Sequence, residues 1–179
     1  MFGNFNLGTV VLILLAIVIY LYLQRLEKKE KSGKTATLYE RYKTLTPETL
    51  SALPNEELVR AVVANLLARG TDLYKETAVL SHSRTAVYSV WLFCNEIAAA
   101  DFEKLSATSR RFADVATDGF LLLGAEQCAA ALTALTTAFA ENALTADLSA
   151  ALRDAIAAET PLESAAAYIR ENIAEFCDL

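Results

Sequence analysis

The sequence predicts an all-α protein, with one N-terminal transmembrane helix followed by a compact multi-helix soluble domain. Three observations carry that expectation. Leu7 to Leu23 read LGTVVLILLAIVIYLYL, an apolar run without a charge. Every later segment with a clear hydrophobic period has the helical one, and none alternates with the period of two that a strand needs. Glycine and proline are scarce, six and three in 179 residues, and are expected at the ends of the helical segments.

The apolar run comes first. As a helix it covers roughly 26 Å, near the thickness of a bilayer's hydrocarbon core. A cleaved signal peptide is disfavoured, because MFGNFN carries no basic side chain and no small-residue cleavage site follows the run. A pilin-type N-terminus is disfavoured too, since no acidic residue lies inside the run. A buried core helix rarely lacks polar residues on every side. Immediately downstream lie Arg25, Lys28, Lys29, Lys31 and Lys34, against Glu27 and Glu30. That segment carries +3, so the remainder of a chain of net charge -6 carries -9. The positive-inside rule then puts the N-terminus outside and the domain in the cytoplasm, at the inner (cell) membrane of a bacterium. The five basic residues are also expected at the membrane surface, worth about 1 kcal/mol each against anionic headgroups. The expected organisation is an anchor over 1–24, a basic juxtamembrane stalk and linker over 25–45, and an all-helical domain over 46–179. Ser32-Gly33 is the expected hinge. Cys94, Cys128 and Cys177 are odd in number and widely spaced, which agrees with a reducing compartment. Cys94 and Cys128 fall on apolar faces and read as core residues.

Within the domain, Thr46-Pro47-Glu48 has the chemistry of a helix start: a hydroxyl cap, proline at the first position, an acid in the first turn. Asn55-Glu56-Glu57 opens a longer helix with Leu58, Val62 and Leu66 on one face. Ser81 or Ser83 opens the next, where Val87, Val90, Trp91, Cys94, Ile97 and Ala98 form a wide stripe. Asp101 to Leu105 reads as a separate turn of helix. Phe112, Val115, Ala116 and Phe120 form a stripe ending near Gly124. Cys128, Leu132, Leu135 and Phe139 form another, and Leu148, Leu152, Ala155 and Ile156 a further one. Thr160-Pro161-Leu162-Glu163 reads as a capping box. It opens a last helix carrying Ala166, Ile169, Ile173 and Phe176. The count is seven or eight helices around one core. Alanines between 129 and 158 favour helix and close helix–helix approach.

The residue inventory argues against an enzyme. His82 is the only histidine, sits at a helix start and has no nucleophile motif beside it, so a surface or capping role is expected. No Cys/His spacing suits zinc. The glycines are too scattered for a phosphate loop. Glu96, Asp101 and Glu103 are close in sequence, but acid–base work needs a desolvated cleft, and a solvated helix end explains them more simply. No cofactor is expected. The acidic balance disfavours direct nucleic-acid binding.

Three stretches carry a family resemblance: AVYSVWLFCNEIAAADFEKL (86–105), GFLLLGAEQCAAALTALTTAF (119–139) and AAAYIRENIAEF (165–176). In this order they resemble the bacterial DNA-mimic-protein-like helical domain, a family largely of unknown function in which one member is an acidic, dimeric, helical DNA mimic. The resemblance covers roughly residues 55–179. Where that family has acid-apolar-Asn-Asn-Gly-Gly-Phe, this chain reads Glu96-Ile97-Ala98-Ala99-Ala100-Asp101-Phe102. The acid and the Phe match. The polar, flexible centre is replaced by alanines, which predicts a more helical turn.

The expected function is a membrane-tethered, non-enzymatic protein-interaction module that presents an acidic helical surface to an unknown protein partner, with residues 7–23 in lipid. The altered motif and the local charge point to Glu96, Asp101, Phe102 and Glu103 as partner-binding residues, with Asp114 and Asp118 as outliers. One alternative is a DNA mimic that regulates a DNA-binding protein. Another is a structural homo-oligomer assembled through the apolar helix and the alanine-rich faces.

Overall fold

The computed structural model describes residues 38–69 and 81–178. The apolar run 7–23, the stalk residues Arg25, Lys28, Lys29, Lys31 and Lys34, and the Ser32-Gly33 hinge lie outside the described residues. Among the described residues no helix is long and apolar enough to cross a membrane. The chain divides into two units at Glu40–Arg41, and every element below belongs to the second, Arg41–Leu179.

The described part of that unit is built from helices alone: α1 Pro47–Ala52, α2 Asn55–Arg69, α3 His82–Ala99, a 3-10 turn Phe102–Lys104, α4 Ala107–Arg110, α5 Ala113–Leu122, α6 Glu126–Ala140, α7 Ala146–Glu159, α8 Pro161–Glu171 and α9 Ile173–Phe176. Among the described residues, two short pieces go beyond the elements the sequence separates. Residues 107–110 form a separate turn. The last expected helix also breaks at Asn172, whose φ of -124° and ψ of 35° leave the helical region.

The start signals act as the sequence predicts at two sites. Thr46 caps α1, its Oγ1 accepting from the Thr49 N–H at 3.2 Å. Ser81 caps α3 in the same way, accepting from the Arg84 N–H at 3.3 Å. Each satisfies one of the N–H groups a helix start leaves unpaired. The capping box at Thr160 is not formed. Thr160 also closes α7, donating its N–H to the Ile156 carbonyl at 3.1 Å, and it adopts a left-handed backbone with φ 44°. Its side chain makes no cap bond to the backbone. Pro161 does take the first helical position.

Two helix ends share one solution. Gly124, at φ 73°, donates to the Leu121 carbonyl while Ala125 donates to Phe120. Asn142, at φ 54°, donates to Phe139 while Ala143 donates to Ala138. Both are Schellman endings, which need a residue tolerant of left-handed backbone.

Helix α3 is the axis of the domain. It packs against α2, α5, α7, α8 and α9. Ser83 to Val90 are buried without a break, so its first half is covered on all sides. The sequence stripe anticipates Val87, Val90, Cys94 and Ile97, but Trp91 is half-buried and Ala98 exposed. The tightest approach is at Gly119 of α5. A Cβ there would stand 3.0 Å from the Ala86 carbonyl oxygen and 3.0 Å from Val90 Cγ2. Phe93, Phe102, Phe112, Phe120 and Phe176 are the largest fully buried side chains. Each contributes on the order of 1.5–3 kcal/mol by leaving water. Phe139, expected in a core stripe, is 39% exposed.

Candidate functional site

Helix α3 runs on through Ala98 and Ala99. The helix stops at Ala100, whose extended backbone turns the chain into Asp101. The residues expected to bind a partner then separate into two groups. Glu96 is half-buried and accepts from Ser109 Oγ at 2.8 Å, which fastens α4 to α3. Asp101 accepts from Arg153 of α7 at 3.2 Å and from Lys104 at 3.3 Å. The hydrogen bonds of Arg153 and then Lys104 hold its carboxyl below the usual range. Phe102 is a core side chain, 1% exposed. It stacks with Phe93 and meets Phe139 edge-on, and its N–H donates to Ser149 Oγ at 3.3 Å. Glu103, Asp114 and Asp118 are exposed. None of the six hydrogen bonds to another.

The wider surface shows a pattern the six only sample. From Ala113 to Asp178 the sequence holds eleven carboxylates and two arginines. Nine of the carboxylates are exposed. Both arginines are engaged in the fold. Arg153 holds Asp101, and Arg170 donates to Asn55 Oδ1 at 3.0 Å, to the Ser51 carbonyl at 3.2 Å and to the Leu53 carbonyl. Helices α5 to α9 therefore carry a surface of negative charge with its few cations turned to internal use.

Two further carboxylates work within the fold. Glu159, at the end of α7, accepts the Gln127 N–H at 2.9 Å and the Cys128 N–H at 2.8 Å, so it caps α6 from another helix. Desolvation alone would raise its carboxyl, but these hydrogen bonds outweigh it and the group titrates below its usual range. Asp178 sits in a cradle that the sequence gives no hint of. Its Oδ1 accepts from both terminal nitrogens of Arg84 at 3.1 Å and from Arg69. Its Oδ2 accepts from Asn65 Nδ2 at 2.9 Å and from the Leu45 N–H at 2.8 Å. Its own N–H donates to the Leu45 carbonyl at 2.8 Å. Arg84 also donates to the Cys177 carbonyl at 2.6 Å and to the Glu175 carbonyl at 3.2 Å. Asn65, buried, donates to the carbonyls of Tyr42 and Lys43 at 3.0 Å each. The cradle thus ties the segment 42–45, helices α2 and α3, and the tail beyond α9 into one knot. Burial and the neighbouring Arg69 lower the guanidinium of Arg84 from its usual value.

The thiols are chemically quiet where buried. Desolvation pushes Cys94 up to about 12 and raises Cys128 further, Cys128 also lying beside Glu159. Cys177 is half-exposed and its Sγ donates to the Ile173 carbonyl at 3.2 Å. His82 is exposed at the first position of α3, and the cap is Ser81. Among the described residues no three His, Cys, Asp or Glu side chains group as a metal site would require.

One concave feature stands out. A groove of about 450 Å³ opens between the first turns of α2, the middle of α3 and the first turns of α8. Val59, Trp91, Leu162 and Ala166 provide its apolar lining, and Asn55, Glu56, Arg60, Asn95 and Glu163 the polar part. Its volume lies in the range of ordinary ligand clefts. Sequence reading passes over it, because its lining comes from three separate helices and Trp91 reads as core. Comparison with protein-family models, with curated proteins and with solved structures finds no match for this chain.

Proposed function

We propose that this protein is a membrane-tethered, non-enzymatic protein-interaction module that offers an acidic helical surface to a partner at the inner face of the membrane. The observation that carries the reading is the surface of α5 to α9. Nine exposed carboxylates lie there, and the two arginines in the same stretch are held by internal hydrogen bonds. Such a surface raises the local concentration of basic partners and speeds their encounter. The apolar run 7–23 and its basic flank supply the tether, which raises the effective concentration of even a weak site for other membrane-proximal proteins.

The test is capture from solubilised membranes by the full chain, compared with a variant carrying Asp114→Asn, Asp118→Asn, Asp147→Asn and Asp154→Asn. All four side chains are exposed, so the fold tolerates the change. The reading expects partners that are lost with the variant and with rising salt, and that added DNA does not displace. Equal capture by both chains would defeat it. Displacement by DNA would favour the DNA-mimic role that the resemblance implies.

A further inference from the structure

We propose that the groove between α2, α3 and α8 is the seat of a basic side chain of the partner, an arginine laid flat on Trp91. The assignment deepens the reading of the domain as an acidic interaction module and rests on it. Three features of the lining select this ligand.

The first is hydrogen-bonding polarity. Asn95 spends its Nδ2 on the Trp91 carbonyl at 2.7 Å, which leaves its Oδ1 as a free acceptor. Glu56 and Glu163 add carboxylates, of which Glu163 accepts only from Thr160 Oγ1 at 3.4 Å. Donors are also present, on Arg60 and on the Nδ2 of Asn55, whose Oδ1 is taken by Arg170, so a partner guanidinium pairs with Asn95, Glu56 and Glu163. The second is charge. Glu56 and Glu163 against Arg60 leave one net negative charge in the lining, so a cation complements it. The third is shape. Trp91 is half-buried in the groove wall and braced by Tyr88, with ring centroids 6.1 Å apart. A groove wall that holds an indole and two carboxylates suits a planar guanidinium better than a compact ammonium.

Trp91 is the only tryptophan in the chain, so its fluorescence reports this groove and nothing else. The experiment titrates the full chain in detergent with N-acetyl-triarginine amide and, separately, with the neutral tricitrulline counterpart. The expected result is a saturable change in Trp91 emission with the arginine peptide and none with citrulline. Glu56→Gln and Glu163→Gln are each expected to weaken binding by about three-fold, as for exposed ion pairs. Arg60→Gln, which removes the like charge, is expected to tighten it about two-fold. No saturable change in emission, an equal response to citrulline, or weaker binding in Arg60→Gln would overturn the proposal. Peptide binding that survives Glu56→Gln and Glu163→Gln but falls in the four-aspartate variant would overturn this seat while leaving the acidic-module reading intact.

Discussion

Replacing Asp178 by alanine is expected to destabilise the domain by about 3 kcal/mol, toward the low end of the range for breaking one side of a buried ion pair. The structure sets that figure. Five hydrogen bonds converge on the Asp178 carboxylate, two of them from Arg84, whose side chain is 7% exposed. Without the carboxylate, Arg84 and Arg69 remain side by side with no anion between them. Two features moderate the loss. Arg84 keeps the Cys177 and Glu175 carbonyls as acceptors. Arg69 is 38% exposed, so water screens its share of the interaction. For a domain of this size the change corresponds to a fall in Tm of about 6–12 °C. Thermal and urea unfolding of the full chain in detergent, followed by far-ultraviolet circular dichroism, measures it. The double variant Arg84→Met/Asp178→Leu removes both charges together and is expected to cost less than the sum of the single changes. A loss below about 1 kcal/mol for Asp178→Ala, or strict additivity in the double variant, would refute the reasoning that the knot closes the domain.

Other outcomes follow from the same contacts. Gly119→Ala gains about 1 kcal/mol of helix propensity but drives a methyl against the Ala86 carbonyl and Val90, an overpacking cost of about 1–3 kcal/mol, so urea titration is expected to show a net loss. Gly124→Ala meets no neighbour within 4 Å but must hold φ at +73°, and is expected to cost about 1 kcal/mol in the same titration. Asp101 and Glu159 titrate below their usual values of 3.8 and 4.5, so their contribution to stability is complete above those values and is lost as pH falls through the lower folded ones. The urea midpoint should therefore drop on acidification below about pH 5, and less steeply in Glu159→Gln. In native protein a thiol reagent is expected to modify Cys177 first, with Cys94 and Cys128 reacting only on unfolding. Mass spectrometry after timed alkylation distinguishes the three.

Much of the fold was legible because its signals are local. Thr46, Ser81 and Gly124 act within one turn of chain, and the stripes of α2 and α3 follow from a period of 3.6. What sequence reading missed depends on residues far apart. Asp178 meets Asn65 and Arg84 across more than 90 residues, and no spacing announces that pairing. Glu159 caps α6 from 31 residues away, so the absence of a local cap at Ala125 gave no warning. Thr160 fails as a capping box because one residue serves two helix ends and its backbone is claimed by the first. The expected binding residues show the same limit. Charge marked Glu103, Asp114 and Asp118, but only the packing of the helices reveals that Glu96 and Asp101 are tied to Ser109, Arg153 and Lys104 and that Phe102 is a core side chain.

Whether the acidic surface works at the inner face of a membrane is tested most directly by protease protection of the full chain in sealed vesicles of both orientations, after an alkaline carbonate wash. The expected result is a chain that stays with the membrane and a domain beyond Lys34 that is digested only in inverted vesicles. Release by carbonate, or digestion of the domain in right-side-out vesicles, would contradict a tethered, inward-facing module.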